Sequence, residues 1–530
     1  MSEFVLPRRV VLSMACAASM MGIALPVLAQ SQPVHGGVLT AILFPEPPSL
    51  NLALQQVQGT QMVAGKIYES LLQYSKKLEP MPSLAASWTV SPDRLTYTFN
   101  LQKGVKWHDG KPFSSADVVF TYKEILANTA RTRTLMENVA DLSAPNADTV
   151  VFKLKKPYSA FLFAHDIGGG AILPKHLYQG TELSKNEYNN APVGTGPFKF
   201  VKWVRGSHVE LAKNTDYWRK GLPYLDGITY RVIPDAASRR LAIEQGTVLQ
   251  AIPGDVDPVD IARVSKLPHL KTSMDGGEYW STMNWVEFNT AVAPMNDKRF
   301  RQAVMHAVDR QFLLDKIVFG QGKVSTGPIH HNTRFYDSNV KKYNFDPKKA
   351  VALLDEMGLK PDAKGVRANV NFIALPYGEN YRRQAEYFKM SLAKVGIVVN
   401  LESADVGAWV RRVGNHDYHM AGNGVFQYGD PAIGVARTYI SSNIKKGLMF
   451  SNTSQYSNPK VDELFAKAAE APDAERQALY TQIQQQIVED VPVMWMYDTL
   501  GTTFFHKRVN NAYTTGLGYA GSYAEAWLSK

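Results

Sequence analysis

The chain is almost without cysteine. Its single cysteine, Cys16, lies inside an N-terminal apolar run and is preceded by Ser13-Met14-Ala15, not by the leucine three places upstream that a lipid-attachment box would want. If that run is removed, no disulfide, thiolate metal site or cysteine nucleophile is available, and stability must come from core burial. Apolar runs are scarce too. Beyond the N-terminus no segment approaches the ~18 uninterrupted apolar residues needed to cross a bilayer.

The first residues explain the exception. Arg8 and Arg9 precede an apolar run from Val10 to Leu28, and Val27-Leu28-Ala29 suits cleavage before Gln30. Residues 1–29 therefore read as a secretory signal peptide. Arg8-Arg9 also fits a twin-arginine signal, but Pro7 and Val11 depart from that pattern and favour ordinary export. A periplasmic, soluble mature chain is expected.

The charge balance is basic, with 58 Lys and Arg against 48 Asp and Glu, a formal +10 that falls by one when Glu3, Arg8 and Arg9 leave. The basic residues are scattered in pairs such as Lys155-Lys156 and Lys341-Lys342 among acids. That pattern is a solvated basic surface, not a nucleic-acid track, and no nucleic-acid partner is expected.

Catalytic motifs are missing as well. There is no Gly-x-Ser-x-Gly elbow, no His-Glu-x-x-His helix and no phosphate-cradling Gly-x-x-x-x-Gly-Lys. Gly516-Leu-Gly518-Tyr-Ala-Gly521 matches the dinucleotide fingerprint, but only nine residues follow, too few for the helix and strand such a site needs. His416 and His419, and the adjacent His330-His331, make a metal site conceivable, although Asp417 is the only acid beside the first pair. Structural roles are the better reading of these histidines.

What is present is strong periodicity. Leu95, Tyr97, Phe99 and Leu101 alternate with polar residues as in a half-buried strand. Val105-Lys106-Trp107 reads as a second short strand, Asp109-Gly110 as a tight turn, and Ser114 to Asp117 as a capping box ahead of a helix with Val118, Tyr122 and Ile125 on one face. His108-Asp109 is thus a turn pair, with packing or hydrogen bonding assigned to His108. Later helices repeat the pattern: Asp346-Pro347 to Gly358; Phe300, Val304, Ala307 and Val308; and Ala385, Phe388, Leu392 and Val395, closed by Gly396. Two more run near 461–469 and 473–489 before the apolar strand VPVMWMY. Strands alternating with helices imply an α/β protein with mixed sheets, and about 500 residues imply two or three lobes.

The order of these segments resembles a known family. LAASWTVSPDRLTYTFNLQKGVKWHDGKPFSSADVVFTY, then VGTGPFKFVKW, NTDYWRKGLPYLDGITYRVIPDAASRRLAIEQG, EFNTAVAPMNDKRFRQAVMHAVDR, DPKKAVALLDEMG and YSNPKVDELFAKA, is similar to the extracellular solute-binding proteins, family 5, which serve ABC importers of peptides, nickel complexes, opines and some oligosaccharides.

The resemblance implies a periplasmic-binding-protein-like flytrap of two main lobes and an inserted smaller one. The first lobe would combine 36–75, 190–285 and 495–530, the inserted lobe 76–189, and the third lobe 286–494. It implies a monomeric receptor that captures a small organic ligand by lobe closure, needs no cofactor, performs no catalysis, and hands its cargo to separate permease and ATPase subunits. A secreted metal-dependent hydrolase using His416 and His419, or the same fold binding a metal chelate, is the alternative. The family's pocket positions map here to Glu46, Tyr279, Trp280, Asn284, His331, Tyr377, Phe426, Gln427, Tyr428 and Arg437.

One departure matters. Peptide-binding relatives carry a segment like Trp-x-x-Asp just before an Asp-Pro pair, and its aspartate receives the ligand's α-amino group. Aligned on Gly429-Asp430-Pro431, this chain has Gln427 in the place of that aspartate and Gly424 in the place of the tryptophan. Simple peptides with free amino termini are therefore not the expected cargo, unless Asp430 or Glu46 takes over the role.

Overall fold

A computed structural model describes residues 32–54, 56–129 and 132–530. The expected signal peptide, with Cys16, lies outside the described residues. Three large sheets and two two-stranded ones organise the described residues. A seven-stranded sheet runs in the order Leu270–Ser273, Thr503–His506, Gln250–Ala251, Val38–Leu43, Gly227–Val232, His208–Lys213, Phe198–Val204. Val38–Leu43 lies parallel to Gly227–Val232, which is antiparallel to its other neighbour. A six-stranded sheet runs Gly322–Val324, Val493–Thr499, Met283–Phe288, Met420–Val425, Ala368–Ile373, Ile397–Glu402, and a four-stranded antiparallel sheet is built from residues 85–154. The fold is mixed α/β, as the alternation of strands and helices predicts.

The opening elements form for the reasons their residues give. Tyr97, Phe99 and Leu101 are buried while Asn100 is exposed, as period two requires. The Ser114–Asp117 capping box is complete, the Asp117 carboxylate accepting from the Ser114 amide at 2.9 Å, and Val118, Tyr122 and Ile125 share the buried face. Val105–Trp107, expected as a strand, makes only an isolated bridge between Lys106 and Pro112, because the turn at 109–110 reverses the chain at once. Val308 and Val395 fall beyond their helices, which end at Ala307 and Ala393.

His108 and Asp109 part company. His108 Nε2 donates to the Gly196 carbonyl at 2.9 Å and its Nδ1 accepts from the Gly194 amide at 3.3 Å, so the ring clasps the VGTGP turn. Burial pushes its pKa down to about 4. Asp109 instead faces His176, 2.6 Å away. The pair is scaffold.

The chain leaves the seven-stranded sheet after Ser273, enters the six-stranded sheet at Met283, and returns between Thr499 and Thr503. The two crossings run side by side, with the Thr499 amide donating to the Thr282 carbonyl at 2.8 Å. At the foot of the first, Gly276 touches Gly518 backbone to backbone. A Cβ added at Gly518 would sit 2.1 Å from the Gly276 carbonyl oxygen. The Gly-x-Gly-x-x-Gly match is thus a close chain crossing with no phosphate-binding helix behind it.

Candidate ligand-binding site

Three adjacent strands of the six-stranded sheet stop at one level: Met283 stands opposite Val425 on one side and Asp498 on the other. Just past these ends lie Tyr279-Trp280 on the first crossing and Phe426-Gln427-Tyr428 on the loop after Val425. The Gln427 amide donates to the Trp280 carbonyl at 2.7 Å, which ties the two segments together.

Their aromatic rings meet others from across the molecule. Tyr279 stacks on Tyr74 with centroids 5.1 Å apart, and Tyr74 stacks on Phe163 at 5.5 Å. Trp280 meets Tyr279 and Phe426 edge-on and stacks against Tyr519 at 5.9 Å. The Tyr279 hydroxyl donates to Asp166 Oδ2 at 2.6 Å, and the Trp280 indole donates to the Leu517 carbonyl at 2.9 Å. A continuous aromatic wall, its rings largely buried against one another, therefore joins the inserted region, the crossing, the six-stranded sheet's loop and the C-terminal segment. Aromatic side chains bring large contact area at small entropy cost.

The polar groups form a second layer. Gln427 is buried, its Oε1 accepting from the His330 amide at 2.8 Å and its Nε2 donating to the Pro328 carbonyl at 2.7 Å. Asp498 accepts from both the His331 amide (2.9 Å) and His331 Nδ1 (2.7 Å), and from the Ser325 hydroxyl. Asn284 donates to Thr499 Oγ1 at 2.7 Å.

The ligand-type atoms of His330, His331 and Asp498 lie within 4.8 Å of one another, and the two imidazoles stack at 4.5 Å. His330 Nδ1, however, accepts from the Asn332 amide at 3.0 Å, which places its proton on Nε2, while His331 Nδ1 is committed to Asp498. Nδ1 of both rings is thus engaged in hydrogen bonding. Burial pushes the His330 pKa down to about 4.

The two acids expected as substitutes for the missing aspartate are both occupied. Asp430 is fully buried, caps the short helix Pro431–Gly434 by accepting from the Ala432 amide at 3.0 Å, and meets the Arg476 guanidinium through both oxygens, at 2.5 and 2.9 Å. Arg334 adds a third cationic contact at 3.4 Å. Glu46 accepts from the Trp203 indole at 2.8 Å and from the Gly206 amide at 3.1 Å, pinning the hairpin 198–213 to the loop after Val38–Leu43.

The structure thus brings Tyr279, Trp280, Phe426, Gln427 and Tyr428 together, with Asn284 at the start of Met283–Phe288 and His331 on the loop after Gly322–Val324, held to Asp498. Arg437 holds the same loop from behind, donating to the carbonyls of Phe426 and Phe450 and lying over the Tyr428 ring at 5.4 Å. Tyr377 stands apart and exposed, edge-on to Trp409, which belongs to a small separate core. His419 Nδ1 accepts from the Asn371 amide at 3.1 Å, and among the described residues neither His416 nor His419 belongs to a three-ligand cluster. Sequence reasoning missed Tyr74, Phe163, Asp166, Asp498 and Tyr519, and weighed His330 only as half of an adjacent histidine pair for a metal. Of the missed residues only Asp498 carried a signal, a carboxylate ending the apolar strand VPVMWMY.

Comparison with known proteins identifies the family. Residues 79–446 match the bacterial extracellular solute-binding proteins, family 5 Middle. The oligopeptide-binding protein AppA of Bacillus subtilis (strain 168) is 29% identical over 504 residues, covering 91% of this chain and 90% of AppA. The periplasmic binding protein DppA from Helicobacter pylori, solved in complex with the peptide STSA, has a TM-score of 0.83 at 27% identity, covering 94% of this chain and 99% of that one. The binding protein AgaA, solved with agropinic acid, has a TM-score of 0.80 at 25% identity over 93% of this chain and 99% of its own. This chain belongs to the bacterial extracellular solute-binding proteins of family 5, the substrate-binding receptors of ABC importers, and is not an enzyme.

Proposed function

We propose that this receptor captures a small organic solute that is not recognised through a free α-ammonium group. The observation that carries this reading is the state of the acids around Gln427. The amide at the inferred amino-terminus position spends its carbonyl on the His330 amide, Asp430 is neutralised by Arg476 and Arg334, and the other acids are engaged: Glu46 by Trp203 and Gly206 of the 198–213 hairpin, Asp498 by His331 and Ser325, and Asp166 by Tyr279 and the Gly168 amide. A buried ammonium without a carboxylate loses several kcal/mol, and each ~1.4 kcal/mol is tenfold in affinity.

In this reading the lobes follow the sheets. The seven-stranded sheet forms the first lobe, the four-stranded sheet the inserted lobe and the six-stranded sheet the third, with the crossings 274–282 and 500–502 between first and third. Because Met283–Phe288 and Val493–Thr499 lie wholly in the six-stranded sheet, these limits fit better than 286 and 494. Aromatic rings from Tyr279 to Tyr428 supply the contact area, and Gln427, Asn284 and His331 orient the solute. The mature chain begins at Gln30, works in the periplasm as a monomer, and delivers its cargo to permease and ATPase subunits that are separate chains.

Native mass spectrometry of protein purified without refolding tests the reading. A co-purified solute lacking a primary α-amine is expected. A stoichiometric di- or tripeptide with a free amino terminus, or a chain that turns its bound solute over, would overturn it.

A further inference from the structure

The helix Pro459–Glu470 ends without a glycine, its next residue Ala471 being extended, yet none of its terminal carbonyls is left bare. An α-helix end orphans its last carbonyls, and each must find a donor. Lys467 accepts from the Ala471 amide, and Ala468 accepts from Arg476 Nε at 3.1 Å. The next three are satisfied from the inserted region. The Ser159 amide donates to Ala469 at 2.8 Å, Arg94 Nη2 donates to Glu470 at 2.8 Å, and the Ser159 hydroxyl donates to Ala471. Arg94 Nη1 also donates to Ser159 Oγ at 3.1 Å, so the two donors act together.

Arg94 stands at the tip of the hairpin joining Ala85–Val90 to Thr96–Leu101, in the turn SPDR. Its φ is +59°, a left-handed conformation in which an arginine gains nothing over glycine or asparagine. A non-glycine residue held there invites a search for what its side chain does. Here it carries a positive charge to the negative end of a helix in another part of the molecule.

We propose that Arg94 and Ser159 form a closure latch, a helix C-cap supplied in trans by the inserted lobe, which makes the closed state more populated without touching the solute. The three carbonyls have protein donors only while the lobes meet and turn to water when they part. Lys156, 2.5 Å from the Glu470 carboxylate, lies at the same junction, but both groups are well exposed, and such pairs contribute little. Arg94 and Ser159 thus set affinity for every solute by the same factor, because apparent affinity scales with the closed fraction.

The inference rests on the closure reading above, and a measurement on solute-free protein separates the two. With Cys16 leaving in the signal peptide, spin labels can be placed at Thr89→Cys and Ala466→Cys, one on each side of the junction, and read by double electron–electron resonance after bound solute is stripped. Arg94→Gly is the informative variant, since glycine suits the turn and the hairpin should fold at least as well. Combined with Ser159→Ala, it is expected to lower the ratio of short to long distances about tenfold, while Lys156→Ala leaves it within about twofold. Two distances whose ratio is the same in wild type and in the double variant overturn the latch alone. A wild type with a single distance, with or without the co-purified solute, overturns closure and the latch together.

Discussion

Asp430 and Arg476 form a two-pronged ion pair with neither side chain exposed, Oδ1 to Nη2 at 2.5 Å and Oδ2 to Nη1 at 2.9 Å. Burial opposes the Arg476 charge, and the Asp430 carboxylate outweighs it, holding the guanidinium above its usual range. Removing one partner of such a pair strands the other. Asp430→Asn is expected to cost roughly 3–5 kcal/mol in urea unfolding, whereas Arg334→Ala, whose side chain is partly exposed, should cost about 1 kcal/mol or less.

Gln427→Asp should change selectivity at the expense of stability. The shorter carboxylate forfeits the hydrogen bond from Nε2 to the Pro328 carbonyl, a loss of about 1–3 kcal/mol, and presents a negative charge beside the aromatic wall. Calorimetry with a peptide panel is expected to show feeble binding to wild type and improved binding to the variant. Submicromolar wild-type binding that disappears when the peptide is N-acetylated would contradict this.

His165 gives the protein an acid-side weakness. It is fully buried among Phe99, Phe152 and Phe161, its Nδ1 lies 2.5 Å from the Tyr122 hydroxyl, and burial pushes its pKa down to about 3. In the unfolded chain the ring takes a proton near pH ~6.5. Above that pH neither state is protonated and there is no penalty. Below it the unfolded state binds the extra proton, so stability falls as the pH drops toward about 3. One such group contributes a slope of ~1.4 kcal/mol per pH unit. His165→Gln keeps an acceptor for Tyr122 and is expected to flatten the unfolding free energy between pH 6 and 4 by about that amount.

Gly434 backs the site from the other side. A Cβ there would lie 2.0 Å from the Gln427 carbonyl oxygen, an overlap only a backbone shift can relieve. Gly434→Ala is expected to displace the 426–428 loop, lowering solute affinity and stability together. Unchanged calorimetric affinity would show that the loop's position does not govern binding.

Local order was legible in the sequence, and long-range partnership was not. Period-two alternation, a capping box and an Asp-Gly turn specify the elements between Leu95 and Ile125 because their causes lie within a few residues. The Asp346-Pro347 start and Gly358 stop work the same way, Gly358 having φ +78°. Asp430 shows the limit. As a helix N-cap it is readable from Asp-Pro, but its neutralisation by Arg476 depends on a residue 46 positions away, and without it the acid looks free to meet a ligand. Tyr279 and Asp166 are 113 positions apart. Glu46 stands out in the sequence only by its place in the order of segments, whereas its neighbours Trp203 and Gly206 come from a hairpin that no local pattern brings there.

The contact between Gly276 and Gly518 also fixes what can be changed there. Side chains yield by changing rotamer, but two backbones in touch have nothing to rearrange, so a side chain added at either glycine must part the two chain segments. The stretch that follows, from Gly277 to Thr282, is fastened to the same C-terminal segment, the Tyr279 amide donating to the Gly516 carbonyl at 3.2 Å and the Trp280 indole to the Leu517 carbonyl at 2.9 Å. A disturbance at the glycine pair is therefore passed directly to the segment that carries Tyr279 and Trp280.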